Sequence, residues 1–256
     1  MAATHEVHRA LIVLNPSESK RLIARAVAQL DEVQHALHHG RLIIGNGTTN
    51  AYVAEELTGQ PVSKWRFAAG VIADGRLDVT PGDTRLQPIA LEQGKVFEDG
   101  WVALLQQFGR DDVFIKGGNA LDPEGNVGVL LASAAGGTVG QLFGILVARG
   151  AHLVAPIGLE KLVPDVTEAA WHCGIATTDR ADGFPVGMAL LPSPRVVTEI
   201  EAFENLCGVA AWHIASGGVS GSEGSVTLAV EGSQSDVHKA FELAASLNGE
   251  APVGPE

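Results

Sequence analysis

Between residues 17 and 39, Leu22, Ile23, Ala26, Val27, Leu30, Val33, Ala36 and Leu37 fall on one stripe at helical spacing. The pattern predicts a helix, with Ser17 or Ser19 as its N-cap and Gly40 as its stop. The next stretch, RLIIGNGTTNAYVAEELTG, predicts a short apolar strand, a glycine-containing turn and a helix closed by Gly59. Residues 66–100 predict β-structure, and FAAGVIADGRLDVT places two short runs around the turn signal Asp74-Gly75. A helix over 98–109 and a buried strand over 112–116 (DVFIK) follow. AAGGTVGQLFGILVARG predicts a loop opening into an apolar helix, and AHLVAPIG another buried strand. Strands that are apolar throughout and alternate with helices predict an α/β fold over residues 1–190. Its sheet is mostly parallel and Rossmann-like, with helices on both faces.

The pattern changes near residue 192, where Pro185, Pro192 and Pro194 interrupt it. RVVTEI, EAFENLCG, AAWHIAS, EGSVTLAVEG and SDVHKAFELAASLNG then succeed one another in β-α-β-β-α order. That order predicts a small C-terminal ferredoxin-like α+β domain over residues 193–250. Its sheet would keep an open edge, which the segment GGVSGSEG does not cover. Pairing across a two-fold between copies is the simplest cover, so a homo-oligomer is expected.

Composition narrows the classes. The 256 residues are 46% apolar and 18% charged, which excludes a disordered chain. Lys and Arg number 17 against 30 Asp and Glu, a net charge of −13. Such a chain has no general grip on nucleic acid or anionic membrane. No apolar run is long enough for a membrane helix, and MAATHEVHRA lacks the basic start of a signal peptide. With only Cys173 and Cys207, the expectation is a cytoplasmic protein without a disulfide framework. Against this acidic background, a few well-placed cations would define a site.

Four segments could supply one. In Gly45-Asn46-Gly47-Thr48-Thr49 a strand delivers small residues and two hydroxyls to a helix start, where free N–H groups favour an anion. A tight turn with a Thr N-cap and no ligand is the competing reading, and the segment is neither a Walker loop nor a full GxGxxG. The second, DVFIKGGNALDPEGN, carries Lys116, Gly117, Asn119, Asp122 and Glu124 past the end of a buried strand, where open α/β sheets place ligands. Lys116 is costly to bury alone, so it must meet a carboxylate, a ligand or water. A solvated loop with an Asp122-Pro123 turn is the alternative. The third, Gly136-Gly137-Thr138, opens a helix and serves either an anion or close helix–sheet packing. The fourth is the Glu160–Lys161 pair, a site pair or a surface ion pair. His35, His38 and His39 sit near a helix end without acidic or Cys partners at ligand spacing, so no metal and no cofactor are expected.

Together these segments carry a family resemblance. The strand–Gly-x-Gly-Thr-Thr–helix opening resembles the superfamily of ribose-5-phosphate isomerase, glucosamine-6-phosphate deaminase and CoA-transferases. The block DVFIKGGNALDPEGNV resembles both the initiation-factor-2B-like methylthioribose-1-phosphate isomerases and the lactate-utilisation (LUD) domains. In LUD-like proteins a segment similar to 119–126 is followed by one similar to Gly158-Leu-Glu-Lys-Leu-Val-Pro164. The resemblance spans roughly residues 20–190 and implies the fold, in a superfamily of isomerases, deaminases, transferases and sensors. The isomerases carry a Gly-Ala-Asp or Gly-Ala-Asp-Glu segment; here it is Gly117-Gly118-Asn119-Ala120. An amide cannot act as their general base. By position, Glu92, Glu98 and Glu160 are the candidates for a CoA-transferase glutamate, and Asp122 with Lys116 is the remaining catalytic candidate pair. The expectation is a protein that binds a small anionic metabolite (a sugar phosphate, CoA ester or nucleotide-like molecule) as an isomerase- or transferase-type enzyme. The alternative is a non-catalytic sensor whose C-terminal unit assembles copies as ACT-like domains do.

Overall fold

The computed structural model describes residues 7–255. Strand β1 (His8–Leu14), which the sequence pattern leaves unassigned, runs into helix α1 (Pro16–Ala28). Asn15, rather than Ser17 or Ser19, caps that helix. Its Oδ1 accepts from the N–H of Ser17 and Glu18, and Glu18 accepts from the Asn15 N–H in return. The stripe over 17–39 is two helices, because Leu30 is extended (ψ 134°) and starts α2 (Asp31–His39). Leu30 itself is buried, so both helices keep their apolar faces on one core.

Strand β2 (Arg41–Ile44), the turn and α3 (Thr48–Thr58) follow the expected order, and Gly59 ends α3 at φ +66°. Strands β3 (Gly70–Ala73) and β4 (Arg76–Val79) form a hairpin on Asp74-Gly75, both with positive φ as its tight turn requires. Next come β5 (Ile89–Glu92), β6 (Lys95–Val96) and α4 (Trp101–Leu105), the last shorter than the 98–109 expected. Strands β7 (Val113–Ile115), β8 (Ala120–Leu121) and β9 (Val127–Leu131) precede α5 (Gly137–Arg149) and β10 (His152–Pro156). The remainder is α6 (Val166–Trp171), β11 (Gly187–Leu190), β12 (Arg195–Val197), α7 (Glu199–Cys207), β13 (Ala210–Gly217), β14 (Ser225–Gly232) and α8 (Gln234–Ala245).

The fold is mixed α/β. Its six-stranded sheet has the order β12-β10-β7-β2-β5-β6. The first four strands are parallel; β5 pairs antiparallel with β2, and β6 with β5. The apolar runs of β2, β7 and β10 are buried almost throughout, as strands covered on both faces must be. Because β2, β7 and β10 are adjacent and parallel, the segments after Ile44, Ile115 and Pro156 emerge side by side at one end of the sheet. That placement decides where the site lies.

The C-terminal elements occur in the expected order but pair differently. Instead of opening a ferredoxin-like sheet, β12 lies parallel to β10 at the edge of the large sheet. The β13–β14 hairpin takes β1 as its third strand, in the order β1-β14-β13. A boundary at 190 would therefore separate strands that pair with one another. Alternation explains the choice: Ile12 and Leu14 of β1 are buried while Leu11 and Val13 are exposed, the signature of a strand with one covered face. A continuous core runs from Ile12 and Leu228 to Phe114 and Leu142. The two termini of the fold are tied by Arg21 of α1, which donates to Glu55, Glu56 and Glu250 and lies over the Tyr52 ring. Among the described residues no helix is long and apolar enough to cross a membrane.

Candidate functional site

A cavity of about 380 Å³ opens at the carboxyl end of the parallel strands. Its polar wall comes from the turn after β2 (Gly47, Thr48, Thr49), the segment after β7 (Lys116, Gly117, Asn119), the start of α5 (Gly137, Thr138) and Lys161. All four segments singled out in the sequence thus contribute to one cavity. The rest of the lining is largely apolar (Val71, Ile72, Leu77 and Val79 from the hairpin, Leu131, and Phe184 with Val186), with Asp78, Arg85, Gln87 and Ser133 as further polar members.

Two helix N-termini end at this cavity without a side-chain cap. Gly47 and Gly136 hold the N-cap positions of α3 and α5, whereas Asn15, Asp165, Thr198 and Ser233 cap α1, α6, α7 and α8 through their side chains. The first-turn N–H groups of α3 and α5 therefore carry their partial positive charge into the cavity wall.

The lysines add full charges. Lys116 Nζ donates to Gly117 O at 3.1 Å and Asn46 O at 3.5 Å, and Lys161 Nζ to Gly118 O at 2.9 Å. Among the described residues no carboxylate oxygen lies within 4.0 Å of either ammonium. Lys116 is deep in the protein, and burial with the nearby Lys161 charge holds its amine down to about 8. Lys161 is also lowered by burial, but the charges of Glu160 and Glu199 oppose the shift. The acid on the cavity wall is Asp78, which lies on the exposed hairpin and accepts from the Val79 N–H.

The remaining expected site residues lie behind the wall or, on the wall, spend polar atoms on the protein's own backbone. Gly45 lies behind it: a Cβ there would come within 3.2 Å of Lys116 Cδ and 3.0 Å of Phe114 Cε1, so glycine makes room for the lysine stem. Asn46 spends its amide on the carbonyls of Phe67 and Leu86. Asn119 accepts from the Leu130 N–H and so pins β9. Gly136 supplies the left-handed residue (φ +75°) that starts α5. Glu160 turns away from the cavity and accepts from Lys20 Nζ at 3.3 Å.

Asp122 also stands apart. Its carboxylate is buried and accepts from the N–H groups of Asn126 and Val166 and from Asn126 Nδ2, at 2.9–3.0 Å. Burial opposes its ionisation, yet these bonds prevail and hold the carboxyl below its ordinary range. A carboxylate so occupied closes a turn and anchors α6, and it does not line the cavity. Asp122→Ala is expected to cost roughly 3 kcal/mol in chemical denaturation, since it strands buried N–H donors. Anion affinity of the folded variant should stay within two- to three-fold of the parent, roughly the scatter of neutral surface changes.

Asn50 is the residue the sequence reading did not single out. It is fully buried at the cavity wall, and its Nδ2 donates to Gly45 O and Ile115 O. That fixes the amide so that Oδ1 is left without a donor. The atom lies beside Gly117, where a Cβ would be 3.4 Å from it.

Beneath Lys161 lies a buried charge network. Lys20 meets Glu160, and Glu199 Oε2 accepts from the Leu159 N–H at 2.9 Å. Glu160 Oε2 and Glu199 Oε1 have no hydrogen-bond partner. Burial, then the Glu160 charge, raise the Glu199 carboxyl to about 7. A raised folded-state value means that the native state holds a proton the unfolded chain has released. This stabilisation is full below the unfolded carboxyl value of about 4.3 and is lost as pH rises to about 7. Thermal unfolding should therefore show stability falling by about 1 kcal/mol per pH unit from pH 5 to 7, with Glu199→Gln flattening the slope. An unchanged slope in the variant would assign the effect to another group.

Among the described residues no three His, Cys, Asp or Glu side chains cluster as metal ligands. Comparison with protein-family models, with curated proteins and with solved structures gave no match to this chain.

Proposed function

We propose that the cavity binds a small anionic metabolite, with its charged end at the starts of α3 and α5 between Lys116 and Lys161. One observation carries this reading: two lysines, neither with a carboxylate oxygen within 4.0 Å, face one cavity in a chain of net charge −13. Keeping such cations together costs desolvation and mutual repulsion, which a bound anion offsets. The isomerase and CoA-transferase resemblance supports the same end of the sheet as the ligand site, but the carboxylates of those mechanisms have no counterpart on the inner wall. Asn119 and Ala120 replace them, Asp122 is engaged elsewhere, and Glu160 faces α1. Carboxylate-driven isomerisation is therefore not part of this proposal.

The test is thermal unfolding against sugar phosphates, CoA esters, nucleotides and small carboxylates. A ligand at 100 times its Kd should add about 2.7 kcal/mol. The reading is overturned if none of these anions stabilises the protein, or if the response survives in the Lys116→Met/Lys161→Met double variant.

A sensor that assembles is the second reading, favoured by the outer face of the β1-β14-β13 sheet. Leu11, Val13, Trp212 and Ile214 are all at least half-exposed or nearly so there, and a register shift between His213 and Ala215 interrupts the β13 edge. We propose that two copies cover this face. Sedimentation should then show a dimer that Trp212→Glu dissociates, whereas a monomer at micromolar concentration removes the proposal.

A further inference from the structure

Building on the anion-site reading, we infer that Lys116 is a nucleophilic amine that forms an imine with the carbonyl carbon of a small oxo acid held in the cavity. Four features of the site lead there.

The first is how the amine is delivered. Lys116 follows directly on buried Ile115, and its stem passes the space left by Gly45, which fixes the side chain's path into the cavity. The head is held by two backbone carbonyls, Gly117 O and Asn46 O, and by no acid. Carbonyl oxygens accept from an ammonium more strongly than from a neutral amine, but unlike a carboxylate they carry no charge that would hold the proton in place.

The second is the division between the two lysines. Lys161 has Glu160 and Glu199 nearby to sustain its positive charge; Lys116 has burial and the Lys161 charge, both of which favour the free amine. A desolvated lysine beside another cation is a recognised way to obtain a nucleophilic amine near neutral pH. The pair then performs two tasks, attack by Lys116 and charge stabilisation by Lys161.

The third is Asn50. Its buried Oδ1 lacks a donor, and the other end of the amide is tied to Gly45 O and Ile115 O, so it cannot flip without losing both bonds. A carbonyl ligand brings no donor of its own, but imine formation creates one: first the hydroxyl of the tetrahedral adduct, then the N–H of the protonated imine. An orphaned acceptor at the wall suits a species that exists only after attack.

The fourth is the shape of the lining. The starts of α3 and α5 suit a carboxylate, and Val71, Ile72, Leu131 and Val186 give an apolar surface for a short carbon chain beside the polar Asp78, Arg85, Gln87 and Ser133. An oxo acid with a short apolar body satisfies both walls.

The chemistry balances without an added oxidant or reductant. The amine's lone pair forms the C–N bond while the carbonyl π pair moves onto oxygen, next to the Lys161 cation. The nitrogen loses a proton as the oxygen gains one. Protonation of the hydroxyl and loss of water then give the C=N bond. Water is the sole by-product.

The experiment is reductive trapping with cyanoborohydride and pyruvate, 2-oxobutyrate or acetoacetate, followed by peptide mass spectrometry. The chain has six lysines, so the others serve as internal controls. At pH 8 an amine titrating near 8 is unprotonated about 100 times more often than an ordinary lysine, and labelling should favour Lys116 by about ten- to a hundred-fold. Lys161→Met removes the neighbouring charge and should move the labelling profile of Lys116 to higher pH, which a purely structural lysine would not do. Absence of a Lys116 adduct with all three acids, or equal labelling of all lysines, overturns the inference. The anion reading is scored separately by thermal shift with 2-hydroxybutyrate, which has no carbonyl. Stabilisation by the hydroxy acid without any adduct would leave the anion site standing and remove the imine.

Discussion

Lys116→Met is expected to make the ligand-free protein more stable while abolishing its response to anions. The substitution keeps a long apolar side chain along Gly45 but removes a charge that no carboxylate partners. Replacing a buried charge by an apolar group of similar shape is commonly neutral or stabilising, here by about 1–2 kcal/mol. The two freed carbonyls, Gly117 O and Asn46 O, border the cavity and can be met by water. An anion that gave the parent about 2.7 kcal/mol of stabilisation at 100 times its Kd should give the variant almost none. Opposite signs for stability and binding identify a residue kept for a ligand. A variant that is both less stable and binds normally would show Lys116 to be a packing residue and would remove the basis of the site. Thermal unfolding with and without the best ligand of the panel measures both quantities.

The second large effect is on the frame that carries this lysine. Phe114 is fully buried in β7, the strand between β2 and β10, and meets the Trp101 ring edge-on at a centroid distance of 6.2 Å. Phe114→Ala should cost about 3–5 kcal/mol, because the parallel strands on either side cannot close over the lost volume. The midpoint of urea unfolding should fall accordingly. Trp101 lies on the cavity wall, so ligand affinity should weaken as well, linking core packing to the site. A loss below about 1 kcal/mol would mean that the sheet repacks freely around Phe114.

The parts of this site that were legible in the sequence are those governed by local rules. An apolar run, two glycines and a helical repeat specify the β2–α3 turn, and parallel strands necessarily gather the segments that follow them. Thr48, Thr49, Lys116, Gly137, Thr138 and Lys161 could therefore be placed together from the pattern. The Asn15-Pro16-Ser17-Glu18 capping box was equally present in the residues, but Ser17 and Ser19 are favoured cap types within four positions of it, so residue type alone does not choose among them. Other features depend on direction, which sequence does not carry. Glu160 and Lys161 are neighbours in a 3₁₀ turn, where successive side chains diverge by a third of a revolution; one reaches Lys20 and the other the cavity. Asp122 reads as a loop acid, yet the chain folds over it and turns it into a cap. Asn50 reads as an ordinary polar residue in a helix, and only the approach of β2 and β7 leaves half of its amide unmatched. The pairing of β1 with β14 and of β12 with β10 is set by the tertiary fold rather than by element order.

The pairing of β1 with β14 has a consequence for how the chain is made. Its nearest partners in sequence, Leu14 and Val226, are 212 residues apart. At translation rates of about 5–20 residues per second, β1 leaves the ribosome roughly 10–40 s before its partner exists. During that interval the apolar side chains of Ile12 and Leu14, which the finished fold covers, have no sheet to join. Closure over so long a loop is also slow once the whole chain is present. Through that interval the nascent protein carries an unpaired hydrophobic strand, a natural target for a holding chaperone until residues 225–232 emerge.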